Sequence, residues 1–342
     1  MKGTQVTIKD IARELGISPS TVSRALKDHP DISPETKRLV NNLAKELNYQ
    51  PNAIALSLRG GKTNTLGVII PEIVHFFFST VISGIEEIAY SAGYNVIICQ
   101  TNESYMRELA AVNALLSSKV DGMLVSISRE TKDFDHLQKV KDSGIPLVFF
   151  DRFSEKMNTS KVILDDFDGA FHAVEHLIEQ GCKRIAHFEG PPNLMISKNR
   201  LDGYLSALEK HGLKDDEDLI IISNEGTLEE AYKQTKEILS MEKPPDAIFC
   251  HSDLTAFGCM KAIRDSGLKI PEDIAVFGFS NWQFSSFIEP SLSTVIQPGF
   301  EMGVLATELL FNELNSKDEN FEYVTRKLKA ELAIRDSSKR TV

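Results

Sequence analysis

The most constraining feature of this chain is a rhythm that begins at Leu66, where short continuous apolar runs alternate with amphipathic stretches of helical period, and the series occurs twice. The first set of runs is Leu66 to Ile70, Asn95 to Cys99, Gly122 to Ile127 and Pro146 to Phe150, with helix-like stretches near 78–92, 104–117 and 133–143 between them. The rhythm restarts after Asp165, with runs Arg184 to Phe188, Leu219 to Ser223, Ala247 to Cys250 and Ile274 to Phe279. Helical stretches near 169–180, 199–211, 227–240 and 254–266 alternate with these. A strand that is apolar throughout must be covered on both faces, which is the condition of a parallel sheet sandwiched by helices. The expectation is an α/β core of two doubly wound parallel-sheet lobes.

Open sheets of this kind bind ligands outside the carboxyl ends of their strands. The residues just after each strand are therefore the candidate pocket wall. In the first lobe these are His75, Phe76 and Phe77, then Ser128 and Arg129, then Asp151 and Arg152. In the second they are Gly190 to Arg200 (with Ile196), Gly226 and Thr227, His251 to Asp253, and Ser280, Asn281 and Trp282. Aromatic rings interleaved with Arg, Asp and Asn suit a polyhydroxylated ligand, because rings stack on C–H faces while the polar groups divide the hydroxyls as donors and acceptors.

Ahead of this core lies a segment of opposite charge. The whole chain carries a net charge of −11, which alone argues against nucleic acid. Residues 1–65, however, hold ten Lys/Arg against six acids, a net +4, which leaves −15 for the remainder. A small basic head on an acidic body is the distribution expected when only the head meets phosphate. Within it, Thr7 to Asp10 reads as a capping box, and Ile8, Ile11, Ala12 and Leu15 form one apolar helical stripe. Gly16 ends that helix, and Ser18-Pro19 caps and opens a second with Val22, Ala25 and Leu26 facing inward. Ser33-Pro34 opens a third, whose Leu39, Val40, Leu43, Ala44 and Leu47 complete a small core. This all-α helix-turn-helix headpiece spans 1–51. Its second helix turns Pro19, Ser20, Thr21, Ser23 and Arg24 outward, with Pro19 and Ser20 for base edges, Arg24 for guanine O6/N7, and Thr21 and Ser23 for phosphate.

The run Val6 to Leu26, followed by Leu47-Asn48-Tyr49-Gln50-Pro51-Asn52, resembles the headpiece of the lactose/galactose repressor (LacI/GalR) family. The resemblance implies a hinge helix and linker over 52–64, capped by Asn52, with Ile54 and Leu58 on one face and Leu58 as a minor-groove wedge. The implied DNA-contacting set also includes Thr7, Ser18, Tyr49, Asn52 and Ala55. The core is similar to the periplasmic-binding-protein-like domain of the same family through Gly190 to Tyr204, Pro245 to Asp253 and Ile274 to Asn281. The resemblance makes Arg200 and Asp253 the foremost effector contacts, followed by Phe77, Arg152 and Asn281. Ser280 stands where an acid is common in the family, and His251 is unusual before Ser-Asp. The resemblance also returns the helix Glu301 to Asn315 to the first lobe and the strand-like Lys327 to Ile334 to the second. The lobes are then 65–164 with 298–321, and 165–297 with 322–342. The expected molecule is a homodimeric DNA-binding transcription regulator, a repressor by resemblance, controlled by a small effector of sugar type, with a purine or other small metabolite as the alternative.

Other classes fit poorly. No apolar run approaches the roughly 18 residues of a membrane span, and Met1 to Asp10 lacks the apolar centre of an export signal, so the expected location is cytoplasmic. This also weighs against the chief rival, a solute receptor without DNA function. The four cysteines are scattered and read as reduced packing residues. Gly60-Gly61-Lys62-Thr63 ends like a phosphate-binding loop, but Leu56 replaces the first glycine and the strand follows instead of preceding. His172, Glu175 and His176 have zinc-protease spacing, yet they sit opposite Ala170, Val174, Leu177 and Ile178 on an amphipathic helix and read as a solvated face. No catalytic residue, metal or cofactor is expected.

Overall fold

Local capping chemistry sets the first three helices. In α1 (Ile8–Glu14) the Asp10 carboxylate accepts from the Thr7 N–H at 2.9 Å and from its hydroxyl at 2.7 Å. Gly16 takes φ +65°, which lets the chain turn within three residues. α2 (Pro19–Leu26) begins with Ser18 accepting from the Thr21 N–H at 3.1 Å, and α3 (Pro34–Glu46) with Ser33 accepting from the Thr36 N–H at 3.2 Å. Ile11, Ala12, Val22, Ala25, Val40 and Ala44 are buried together, with Leu15, Leu26, Leu43, Leu47 and Tyr49 packed on them. Two sequence expectations need correction here. Leu39 is 48% exposed and outside the mini-core, while Ser23, expected to face outward, is buried. α2 lies between α1 and α3 and buries a face wider than one stripe, so the Ser23 position is covered.

The computed structural model describes residues 6–49, 62–316, 318 and 321–340, and its two compact units are Met1–Thr63 and Asn64–Val342. The candidates Asn52, Ala55 and Leu58 lie outside the described residues.

In the second unit, the first sheet contains β1 (Thr65–Ile70), β2 (Asn95–Gln100), β3 (Gly122–Val125), β4 (Leu147–Phe150), β5 (Ser160–Leu164) and β11 (Thr325–Leu328). Their order is β11-β5-β4-β3-β1-β2, all parallel. The second sheet contains β6 (Ile185–Glu189), β7 (Ile220–Ile222), β8 (Ala247–Cys250), β9 (Ala275–Ser280), β10 (Ser293–Ile296) and β12 (Glu331–Ala333). It is ordered β12-β10-β9-β8-β6-β7, with only β12 antiparallel. The helices of the first lobe are α4 (Phe76–Ser91), α5 (Tyr105–Ser117), α6 (Asp135–Asp142) and α11 (Gly299–Asn315); those of the second are α7 (Asp166–Glu179), α8 (Met195–Lys210), α9 (Leu228–Leu239) and α10 (Asp253–Asp265).

Central strands β1, β3 and β4 are buried along almost their whole length. The edge strand β2 is not, and leaves Ile97 and Ile98 38% and 42% exposed. α4 and α11 touch backbone to backbone: a Cβ on Gly84 would lie 2.1 Å from the Phe300 carbonyl oxygen, and one on Gly303 2.1 Å from that of Val81. One buried apolar cluster runs through both lobes, from Leu66 and Phe150 to Phe277 and Val295.

The chain passes between the sheets from β5 to α7, from β10 to α11 and from β11 to β12. The last passage differs from the sequence expectation. Thr325–Leu328 pairs with β5 in the first lobe, and only Glu331–Ala333 pairs with β10 in the second. The second lobe therefore resumes after Leu328 rather than at 322. β5 itself escaped the sequence reading because Ser160-Lys161-Val162-Ile163-Leu164 is short and opens on two polar residues.

Candidate functional site

The head presents its candidate surface along α2. Thr7, Ser18, Pro19, Ser20 and Arg24 are exposed and Thr21 is half-buried. The Ser18 hydroxyl lies 2.7 Å from that of Ser20 and 2.8 Å from that of Thr21, so three hydroxyls cluster at the N-terminus of α2. Arg24 is exposed and forms no ion pair with another described residue. Tyr49 packs half-buried on the headpiece core.

Between the carboxyl ends of the two sheets lies a cleft of about 1000 Å3, its open mouth included. Phe76, Phe77, Arg129, Arg152, Ile196, Arg200, Asp253, Ser280 and Trp282 all line it. Thr227 and Asn281 do not. The Thr227 hydroxyl caps α9 by accepting from the Glu230 N–H at 3.2 Å, and the Asn281 amide oxygen is taken by Arg335 at 2.7 Å. Asn102, Glu103, Asp151, Ser280 and Asn281 all have positive φ, between +50° and +119°, at or just beyond strand ends. Such backbone costs roughly 1 to 3 kcal/mol per residue and collects at functional sites.

Arg200 is 5% exposed and makes a polar contact through each of its three nitrogens. Its Nε donates to Asp166 Oδ1 at 2.8 Å, its Nη2 stands 2.7 Å from the same oxygen, and its Nη1 donates to the His251 carbonyl at 2.7 Å. Its Cζ stands over the Phe279 ring, 3.6 Å from the centroid. Burial raises the Asp166 pKa against the pull of Arg200. Asp253, at the first turn of α10, accepts from the Trp282 N–H at 2.6 Å, the Ser285 hydroxyl at 2.6 Å and the Thr294 hydroxyl at 2.5 Å. Burial raises its pKa, with those three hydrogen bonds opposing. Arg200 and Asp253 therefore each have a different internal partner and do not pair with one another.

In the first lobe, Arg152 Nη1 donates to both oxygens of Glu103 at 2.8 Å. Burial favours the protonated Glu103, but Arg152 and the Arg129 N–H outweigh it and hold the carboxyl low. Burial instead pushes Asp151 up to about 6. Arg129, read from sequence as an effector contact, spans the lobes: its Nη1 donates to the carbonyls of Asn224 and Glu225 at 2.8 Å each, and its own carbonyl accepts from Asn193 at 2.5 Å. Glu72 and Glu103 are cleft residues the sequence reading missed. The strand-end rule reaches Glu103 when it is applied after β2 as it was after the other strands of that sheet.

The zinc-protease spacing does not form a centre. His172 faces Asp168, Glu175 accepts from Lys210 and His211, and His176 lies 2.9 Å from the Ser338 hydroxyl. Among the described residues no group of three or more His, Cys, Asp or Glu is placed to hold a metal ion, and no helix is long and apolar enough to cross a membrane.

Comparison with known proteins matches this geometry. Residues 7–52 match the family described as bacterial regulatory proteins, lacI family, and residues 63–332 match periplasmic binding proteins and the sugar-binding domain of the LacI family. The chain belongs to the LacI family. This LacI-family chain is 33% identical to the HTH-type transcriptional repressor CytR of Escherichia coli K12 over 336 residues, covering 98% of this chain and 97% of the relative. The solved lac repressor dimer bound to operator and the anti-inducer ONPF superposes with a TM-score of 0.85 at 25% identity, covering 98% of this chain and 99% of that one. A complex of the regulator CelR with cellobiose gives 0.74 at 27% identity, covering 97% and 100%. The LacI-family chain is accordingly a sequence-specific DNA-binding transcription regulator whose operator affinity is controlled by a small-molecule effector, and not an enzyme.

Proposed function

We propose that this regulator acts in the cytoplasm as a homodimeric repressor and that a polyhydroxylated effector, of the sugar type held by CelR in its cellobiose complex, binds in the cleft between the lobes. The observation that carries the reading is the cleft itself, which joins Phe76, Phe77 and Trp282 to buried Arg and Asp groups at the carboxyl ends of two parallel sheets. The exposed Ile97 and Ile98 on edge strand β2 support dimerisation, because an open apolar edge calls for cover. Residues 1–51 are the reading head, 52–64 the hinge, and the two lobes take the rest, with Thr7, Ser18, Pro19, Ser20, Thr21, Arg24 and Tyr49 as DNA contacts. Effector and operator are coupled reciprocally, so each changes the other's affinity by one factor.

Binding of the full-length protein to genomic fragments, with and without candidate sugars, tests this reading; a monomer indifferent to every duplex at low salt would refute it. Arg24→Ala is expected to cost about 1 to 3 kcal/mol of operator affinity and to relax preference at one base pair per half-site. An equal loss on every sequence would make Arg24 a phosphate contact. Leu58→Ala is expected to weaken operator binding while leaving effector affinity intact, since an apolar wedge acts only on the base step it opens. Unchanged operator affinity would remove Leu58 from the DNA-binding set.

A further inference from the structure

The cleft is lined by five acidic side chains, Glu72, Glu103, Asp151, Glu225 and Asp253, against the three guanidiniums of Arg129, Arg152 and Arg200. All three guanidiniums are already engaged. Arg152 is held by Glu103 at 2.8 Å, Arg200 by Asp166 at 2.7 Å, and Arg129 by the carbonyls of Asn224 and Glu225. Asp166 therefore adds a further acid just behind the wall. A phosphate or carboxylate arriving here would leave water and meet an excess of negative charge, with Arg152 and Arg200 already paired to buried carboxylates and Arg129 tied to backbone carbonyls.

Acceptors for a neutral ligand are available. Asp151 is 5% exposed, and its ion-pair contact with Arg152 Nε is 3.8 Å long, beyond hydrogen-bond reach. Arg152 Nε is itself buried without a partner. A ligand hydroxyl that reached both would accept from the guanidinium and donate to the carboxylate. In the second lobe His251 Nδ1 lies 3.3 Å from the Phe188 carbonyl, which assigns the ring proton to Nδ1 and the lone pair to Nε2. Burial, with Arg200 nearby, drives the ring's pKa down to about 3, so it stays an uncharged acceptor.

We propose that the cleft selects an uncharged polyhydroxylated effector and excludes its phosphorylated or carboxylated counterparts, with Asp151, Arg152 and His251 as the groups that read its hydroxyls. This inference rests on the cleft being the effector site. The test is calorimetric titration of the full-length protein with matched pairs: pentoses, hexoses, disaccharides and nucleosides, each beside its phosphate ester, for example ribose with ribose 5-phosphate. At least one uncharged member is expected to bind, and its phosphate ester to bind roughly tenfold or more weakly. A phosphate ester that binds as tightly as its parent overturns the proposal, and so does failure of every uncharged member to bind. Glu225→Lys, a change at an exposed rim position, is expected to narrow the ratio; an unchanged ratio overturns the electrostatic cause. Operator binding measured on the same preparation separates the two readings. Loss of DNA binding with sugar binding intact refutes the regulator reading alone; operator binding intact with no sugar bound refutes both this inference and the sugar-effector part of the proposed function; and a phosphate ester bound as tightly as its parent refutes this inference alone.

Discussion

Arg200→Ala is expected to destabilise the core unit by about 3 to 5 kcal/mol, the cost of breaking a buried ion pair and leaving one charge behind. The abandoned group is Asp166, 3% exposed at the start of α7, whose carboxylate takes both Nε and Nη2 of Arg200. The same substitution strips the His251 carbonyl of its donor and uncovers the Phe279 ring. Two further measurements isolate the cause. Adding Asp166→Asn to the variant is expected to recover part of the loss, since a neutral amide tolerates burial better than an unpaired carboxylate. The deficit is also expected to shrink as pH falls. Burial already raises the folded-state pKa of Asp166, and removing Arg200 raises it further, so the folded variant takes up a proton before the unfolded chain does near pH 4. Urea midpoints of the full-length protein at pH 7 and pH 5 report all three effects. If Arg200→Ala left the midpoint where it was and abolished only effector binding, Arg200 would be a ligand contact rather than the keystone of the wall.

Arg200 also marks how far the sequence could be read. Its place in the cleft follows from the strand-end rule, because it stands on the helix that leaves β6. Its partner does not follow, since Asp166 is 34 residues away and nothing in either neighbourhood names the other. The helix starts and the turn of the headpiece were legible, because caps such as Ser18 and Ser33 and the φ +65° turn at Gly16 are settled by residues three or four apart. Ser23 and Leu39 were misread because which face of a helix is covered depends on what packs there. The alternation of strand and helix gave two parallel sheets, but the β11 to β12 step, three residues from Leu328 to Glu331, carries no signal that the chain changes sheet. Asn281 was misread for a similar reason. It ends a strand as the cleft residues do, but Arg335, 54 residues on, takes its side chain away.

Asp253→Ala and Asp253→Asn are expected to differ sharply, and the difference decides what this residue does. The carboxylate gathers the Trp282 N–H, the Ser285 hydroxyl and the Thr294 hydroxyl, so it ties the start of α10 to the segment that follows β9 and carries Trp282 into the cleft. Alanine leaves three donors without an acceptor in a closed site, at about 3 to 5 kcal/mol in all. Asparagine can satisfy the same three groups. Its amide oxygen takes the Trp282 N–H, which cannot turn, together with the Ser285 hydroxyl, while its NH2 faces Thr294, whose hydroxyl rotates to accept. The remaining loss is the charge and its interaction with the N-terminus of α10, about 1 kcal/mol. Denaturation midpoints should therefore fall far more for alanine than for asparagine, and Trp282, the sole tryptophan of the chain, reports the local change by its fluorescence. Equal destabilisation by both variants would contradict the organising role. A third result is equally informative: if asparagine left stability intact yet cost most of the effector affinity, the carboxylate would be touching the ligand as well as holding the wall that Trp282 stands on.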